Sequence, residues 1–183
     1  MLWRILIAGL IGFLVFFTWA ILSNGIFGFY GDLAMKQVDG EAELHDYLKQ
    51  HVTEPGGYVV NPVPGEEGYP PDEPVYGLRY AGMGHGAAGR MVVVHIIRAF
   101  LISALAAWLL LYESGRRKSG YLKRLIFFVL LGVLVAVSGD LPDAGIGAYP
   151  LRTALLLGGQ TVIGWLLVGL ILAAWLRPGK AKG

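Results

Sequence analysis

Four long apolar segments constrain this chain more than any other feature of its sequence. They cover residues 2–22, 90–112, 122–139 and 151–176. A membrane-spanning helix needs about 20 mostly apolar residues, and each segment is near that length. The chain is 55% hydrophobic and only 15% charged, whereas a soluble domain would expose far fewer apolar runs. We therefore predict an all-α membrane protein with four transmembrane helices.

Basic residues beside the apolar segments predict how the helices are oriented. Arg4 lies near the start of the first segment. The other basic residues lie in the loop 113–121, at the start of the third segment and in the tail 177–183. They are Arg116, Arg117, Lys118, Lys123, Arg124, Arg177, Lys180 and Lys182. With four spans, all of them fall on one side of the membrane. Cytoplasmic loops carry an excess of Lys and Arg, so we expect both termini and the loop 113–121 in the cytoplasm.

The ends of two segments need separate interpretation. The first segment, residues 1–22, is longer than the roughly 7–15 apolar residues of a cleaved signal peptide, so we interpret it as an uncleaved signal anchor. The third segment, 122–139, is the shortest. We expect Lys123 and Arg124 at its start to reach back to the membrane surface, as long basic side chains do.

Residues 23–89 are acidic and are expected on the extracytoplasmic side, as is the loop 140–150. In the larger segment, Leu44, Tyr47 and Leu48 recur at helical spacing, with Asp39 as the expected N-cap. Residues 57–61 and 75–80 can form two short strands, and the prolines between them exclude regular structure there. We predict a small extracytoplasmic segment of one helix plus a hairpin or loop, leaning on the ends of the membrane helices.

The stretch GHGAAG, residues 84–89, matches the G-x-G-x-x-G pattern of dinucleotide-binding proteins. That pattern works only between a strand and a helix of a βαβ unit. Here it precedes a membrane helix and no βαβ unit is predicted. We therefore interpret it as a joint between the extracytoplasmic segment and the second span.

The second apolar segment carries His95 and Arg98, which is unusual for a membrane helix. Arg98 lies about two turns inside the span, roughly 10 Å below its start at 1.5 Å per residue. One interpretation is an anchor, because side chains point toward the N-terminus of their helix and Arg98 could extend to the lipid headgroups. Another is a structural ion pair, and a third is a binding site or proton site.

A helix face and a loop support the second and third interpretations. Ala99, Ser103 and Ala107 form a series of small residues, which is typical of a helix–helix contact and turns the His95 face toward another span. The loop 140–150 and the start of the fourth span bring more charges to the same surface. The candidate polar cluster is His95, Arg98, Asp140, Asp143 and Arg152, and Arg98–Asp140 is the expected ion pair.

Gln160 lies near the middle of the fourth span, where a side-chain amide needs a hydrogen bond from a neighbouring helix. We favour a packing role for Gln160, and the other interpretation is the polar lining of a solute path.

Several kinds of chemistry find no support. The chain has no cysteine, which excludes disulfides, a thiol nucleophile and Cys-based zinc sites. A metal site built from His85, His95, Asp140 and Asp143 would match no ligand spacing. Only His95 among the histidines lies in a span, which argues against a two-haem cytochrome. We expect no cofactor and no metal.

Four stretches of the sequence resemble a group of uncharacterised bacterial multi-pass inner-membrane proteins. They are FTWAILS at the end of the first span, EPGGYVVNP, VYGLRYAG before the second span, and GWLLVGLILAAW in the last span. The resemblance covers most of the chain and implies four spans in a bacterial inner membrane. It implies no activity, cofactor or catalytic residue.

Three functions stay open from the sequence. The first is a non-enzymatic accessory subunit or assembly protein that acts through a membrane-protein partner or as a homo-oligomer. The second is an oligomeric small-solute transporter or channel component that uses Arg98, His95 and Gln160. The third is an intramembrane enzyme with His95 and Asp140 as an acid–base pair. The lipid bilayer is an expected partner, and nucleic acid is not.

Overall fold

A computed structural model describes residues 2–29, 31, 37–66, 68–80, 82, 84–114, 120–144 and 149–176. The structure is mostly helical, at 72%. Four helices are long and apolar enough to cross a membrane, which confirms the four predicted spans: Leu2–Ile26, Val92–Tyr112, Tyr121–Asp140 and Leu151–Trp175. The basic loop residues 115–119 and the tail 177–183 lie outside the described residues.

The bounds of the membrane helices differ by several residues from those of the predicted spans. Helix α1, Leu2–Ala20, continues as a π-helical segment, Ile21–Ile26. Helix α3, His85–Ser114, starts five residues before the predicted span. Helix α4, Tyr121–Val135, also ends in a π-helical segment, Ala136–Asp140, and α5 spans Leu151–Trp175. The prediction of a joint at GHGAAG is therefore wrong, because the chain is helical from His85 onward.

The helices pack in the order α3, α1, α5, α4, and α3 touches α4 only slightly. Glycines allow the backbones to approach closely, as is common between membrane helices. A Cβ added to Gly12 of α1 would collide with Ser103 of α3. A Cβ added to Gly132 of α4 would lie 2.6 Å from Cβ of Trp165 in α5. Ser103 and Ala107 are fully buried, so the small-residue face of α3 is a helix contact as predicted.

The buried core lies at one end of the bundle. We call this the terminal end, because the first turn of α1 and the last turn of α5 lie there; the opposite end, with Ile26 and His85, is the loop end. The core is assembled from the terminal halves of all four helices, and Trp165 lies at its edge toward the loop end. Its other residues are Ala8, Ala106, Ala107, Leu110, Phe128, Val168, Leu172, Ala173 and Leu176. The four helices are therefore closely packed at the terminal end.

Arg124 belongs to that packed end and does not reach back to the surface, so this part of the prediction is wrong. Its side chain is only 6% exposed. Its Nε donates a hydrogen bond of 2.8 Å to the carbonyl of Ala173, near the end of α5. The last carbonyls of a helix lack partners within the helix, and an arginine satisfies them well. Lys123, one residue earlier, is exposed as expected.

The segment between α1 and α3 contains a short helix and a two-stranded hairpin, as predicted. Helix α2, Glu41–His51, buries none of its residues. Its N-cap is Gly40 in the left-handed conformation, φ 77°, and the predicted cap at Asp39 is wrong because the chain turns at the glycine instead. Strands β1, Gly56–Val60, and β2, Tyr76–Tyr80, pair antiparallel with Tyr58 opposite Leu78.

Candidate functional site: a cavity at the loop end

The loop end of the bundle contains a cavity of about 700 Å³. Its walls come from the second half of α1, the first half of α3 and of α5, and the end of α4. It opens there because α3 packs against α1 but hardly contacts α4. The core at the terminal end closes its floor, so the cavity does not continue through the bundle.

Polar side chains from six parts of the chain converge on this cavity. Four can carry charge: Arg79, His95, Arg98 and Asp140. Four are uncharged: Asn24, Tyr149, Gln160 and Thr161. Three of the five residues in the predicted polar cluster, and Gln160 as well, thus line one space.

The deeper wall of the cavity is aromatic. Its rings belong to Phe13, Phe16, Phe17, Trp19 and Trp165. Phe16 meets Trp165 edge to face, with ring centroids 5.3 Å apart. Phe13 lies 11 residues before Asn24 on the same span, or about 16 Å deeper along the helix axis. The cavity therefore changes from polar at its mouth to apolar at its floor.

Gln160 joins α5 to the end of α1, as the sequence predicts for an amide in a span. Its Nε2 donates hydrogen bonds to Oγ of Ser23 at 2.5 Å and to Oδ1 of Asn24 at 3.1 Å. Its backbone carbonyl accepts a third bond, from Nε1 of Trp19 at 3.2 Å. The Ser23 hydroxyl in turn donates to the carbonyl of Trp19 at 2.7 Å. Ser23 is thus part of a structural network.

The two π-helical segments shape the mouth of the cavity. Asn24 lies in the one that extends α1, and Asp140 ends the one that extends α4. In each segment a serine hydroxyl donates to the carbonyl four residues earlier, Ser23 to Trp19 and Ser138 to Leu134, both at 2.7 Å. Single π turns in α-helices often occur at functional sites. Here they determine where a carboxylate and an amide meet the cavity.

Arg98 and Asp140 do not form the expected ion pair, although both line the cavity. No nitrogen–oxygen distance between them is within 4.0 Å. Oδ2 of Asp140 is buried and accepts no hydrogen bond from the part of the chain that the structure describes. A buried carboxylate oxygen without a donor is costly.

Arg98 lies at the rim, between the cavity and the outer face of α3. Together with Ile102 it also lines a shallow groove on that face. The other residues of this α3 groove are all aliphatic: Val94, Ile97, Leu101 and Leu105. Arg98 is exposed, and no described residue forms a hydrogen bond or an ion pair with its guanidinium. The cavity and the outer face of α3 therefore adjoin at this arginine.

The other two members of the predicted cluster are not placed in the cavity. Arg152 is exposed at the start of α5 and does not line it. The side chain of Asp143 lies outside the described side chains, as does that of His85. Among the side chains that are described, no group of three His, Asp or Glu residues is arranged to hold a metal ion.

Sequence reasoning missed four residues of the site. Arg79 reaches the cavity from β2, and Tyr149 comes from the connection before α5. Ser23 and Asn24 follow the apolar run of the first span, so the sequence places them at the start of the extracytoplasmic segment. The polar pair at the end of that run was the one available signal, whereas nothing in the sequence around Arg79 or Tyr149 indicates which helices they face.

Known proteins offer no comparison for this site. The chain matches no protein-family model, no curated protein and no solved structure.

Proposed function

We propose that this protein is a non-enzymatic, multi-pass membrane protein that binds a small charged ligand in the cavity at the loop end. One observation carries the proposal. The polar side chains His95, Arg98, Asp140 and Gln160 all lie within candidate spans, and all four line one cavity. Polar groups at membrane depth usually face a binding site or a pathway.

The shape of the cavity favours binding over conduction by a single chain. A pore would need polar groups through the whole span, but the terminal half of the bundle is filled by buried apolar residues and small residues. Passage of the ligand across the membrane would require another subunit or a large rearrangement. In the transporter alternative, this chain would therefore be the ligand-binding component of a larger assembly.

The proposal includes a location and an orientation. By the distribution of basic residues, the loop end faces away from the cytoplasm. The resemblance to bacterial multi-pass proteins implies the inner, or plasma, membrane of a bacterium. The ligand then enters from the extracytoplasmic side or from the outer leaflet, at the end where the hairpin contributes Arg79 to the lining.

Cysteine labelling tests whether the cavity is an open binding site. The natural chain has no cysteine, so a single introduced thiol reports on one position. Thr161→Cys in the cavity wall should react with a small water-soluble thiol reagent in detergent-purified protein. Leu130→Cys is the control, because Leu130 is 62% exposed on α4 outside the cavity and would be covered by detergent. Equal, slow reaction of both thiols would contradict the proposal.

Binding to a partner protein is a second candidate function, favoured by the segment between α1 and α3. Helix α2 buries none of its residues, and Val63 and Tyr69 are exposed at 85% and 62%. A segment with so little core of its own would be stabilised by another protein. Gentle purification from native membranes should then yield a complex or a homo-oligomer, and a chain that always elutes alone at monomer size would contradict this.

A further inference from the structure

We infer that the ligand is a phospholipid with an amine in its headgroup, of the phosphatidylethanolamine type. The headgroup lies in the cavity, and one acyl chain lies along the α3 groove. This inference rests on the proposed function and names the class of ligand for the same cavity. It follows from three features: the position of Arg98 between the cavity and the groove, the apolar part of the groove beyond Arg98, and the presence of Arg98 and Asp140 in one cavity without an ion pair between them.

The position of Arg98 between two spaces indicates an amphiphile and not a water-soluble ion. Arg98 and Ile102 line both the cavity and the α3 groove, so the two spaces adjoin at these side chains. All the residues that line the groove belong to α3, and the part from Arg98 to Leu105 is about 10 Å along a helix. Half of a bilayer's hydrocarbon core is about 15 Å. This apolar part of the groove therefore has room for most of an acyl chain that begins at Arg98.

The arginine at the junction indicates a phosphate. Arg98 has no partner among the described residues, and a guanidinium binds phosphate oxygens through paired hydrogen bonds. The phosphate of a phospholipid occupies this position between head and tail. Arg79 lines the same cavity from the hairpin and adds positive charge on the headgroup side.

The carboxylate indicates an amine. Asp140 lines the same cavity, and no described residue forms a hydrogen bond or an ion pair with its carboxylate. Arg98 lies more than 4.0 Å from it and does not pair with it. A ligand that carries both a phosphate and an ammonium group satisfies the arginine and the carboxylate together. An anionic headgroup without an amine would leave Asp140 unpaired and add a second negative charge near it. A trimethylated amine has no N–H to donate.

Native mass spectrometry of the full-length protein in detergent tests the inference. The probes are phosphatidylethanolamine, phosphatidylglycerol, phosphatidylcholine and the soluble headgroup glycerophosphoethanolamine. We expect one tightly bound phosphatidylethanolamine, with an affinity at least about tenfold above that of the other two lipids, which corresponds to 1.4 kcal/mol. The soluble headgroup should bind much more weakly, because it leaves the groove empty.

Variants separate the contributions of the three features. Arg98→Gln should weaken binding of every phospholipid, and Arg90→Gln is its matched control, an exposed arginine two turns away on the same helix. Asp140→Asn should reduce the preference for phosphatidylethanolamine over phosphatidylglycerol to nearly one. Leu101→Trp should fill the groove and weaken lipid binding, whereas Leu109→Trp, which is exposed but outside the groove, should not.

Each contrary result has a defined meaning. Equal binding of the three lipids by the natural chain, or equal loss in Arg98→Gln and Arg90→Gln, would overturn the inference and indicate ordinary surrounding lipid. Tight binding of the soluble headgroup that is unaffected by Leu101→Trp would also overturn it, but would keep the proposed function with a soluble ligand. The proposed function itself fails only if the thiol at position 161 is unreactive in protein from which bound lipid has been removed. The comparisons among natural-chain ligands do not depend on whether a variant folds.

Discussion

The substitution Gly132→Ala tests the close packing of α4 against α5. A Cβ at this position would lie 2.6 Å from Cβ of Trp165 and 3.1 Å from its Cγ. Carbon atoms at optimal contact are about 3.5–4.0 Å apart, so the two helices would have to separate by roughly 1 Å. Neither neighbour can move aside easily, because Trp165 is 1% exposed and Phe128, which stacks on it, is fully buried.

The expected magnitude follows from two opposing effects. Overpacking a close-packed interior costs about 1–3 kcal/mol. Replacing glycine by alanine in a helix returns up to about 1 kcal/mol. We expect a net loss of about 1–2 kcal/mol in the free energy of unfolding. Gly159→Ala is the matched control on α5, because a Cβ there would meet nothing within 4 Å, and it should be neutral or slightly stabilising.

The assay is unfolding of the purified protein in mixed micelles with increasing dodecyl sulfate. Tryptophan fluorescence follows the unfolding, and Trp165, one of five tryptophans, lies in the interface. Gly132→Ala should unfold at a lower dodecyl sulfate fraction than the natural chain, and Gly159→Ala at the same fraction or a higher one. If the two variants unfold together, the helices are not in the contact described, and the argument from close packing is wrong.

Three further predictions concern single side chains. Gln160→Leu removes the two hydrogen bonds from α5 to the end of α1 and should destabilise the protein by about 1–2 kcal/mol, measured in the same unfolding assay; an unchanged midpoint would show that the amide carries no interhelical contact. Arg124→Gln leaves the Ala173 carbonyl without its buried donor and should cost about 1–3 kcal/mol, whereas Lys123→Gln, at an exposed position, should change stability little, so similar effects would contradict the capping role. In intact cells, Val63→Cys should react with a membrane-impermeant thiol reagent and Lys123→Cys should not, and the reverse pattern would invert the proposed orientation.

The spans and the hairpin were predictable because both depend on local properties of the chain. A run of about 20 apolar residues can satisfy its backbone in a bilayer only as a helix. Prolines limit the hairpin to the two short strands that they flank. The need of Gln160 for a partner also follows from its depth alone, since an amide in a span requires a hydrogen bond. These conclusions needed no knowledge of which helices are neighbours.

Only the tertiary structure decided which side chains meet. In a membrane the lipid is as apolar as the protein core, so hydrophobic periodicity does not mark the buried face of a helix. The separation of Arg98 from Asp140, the burial of Arg124 and the arrival of Arg79 at the cavity all depend on helix rotation and pairing. The π-helical segments turn the ends of α1 and α4, and they rest on contacts distant in sequence. The sequence by itself therefore determined a four-helix membrane protein, and the packing of α1 between α3 and α5 created its cavity.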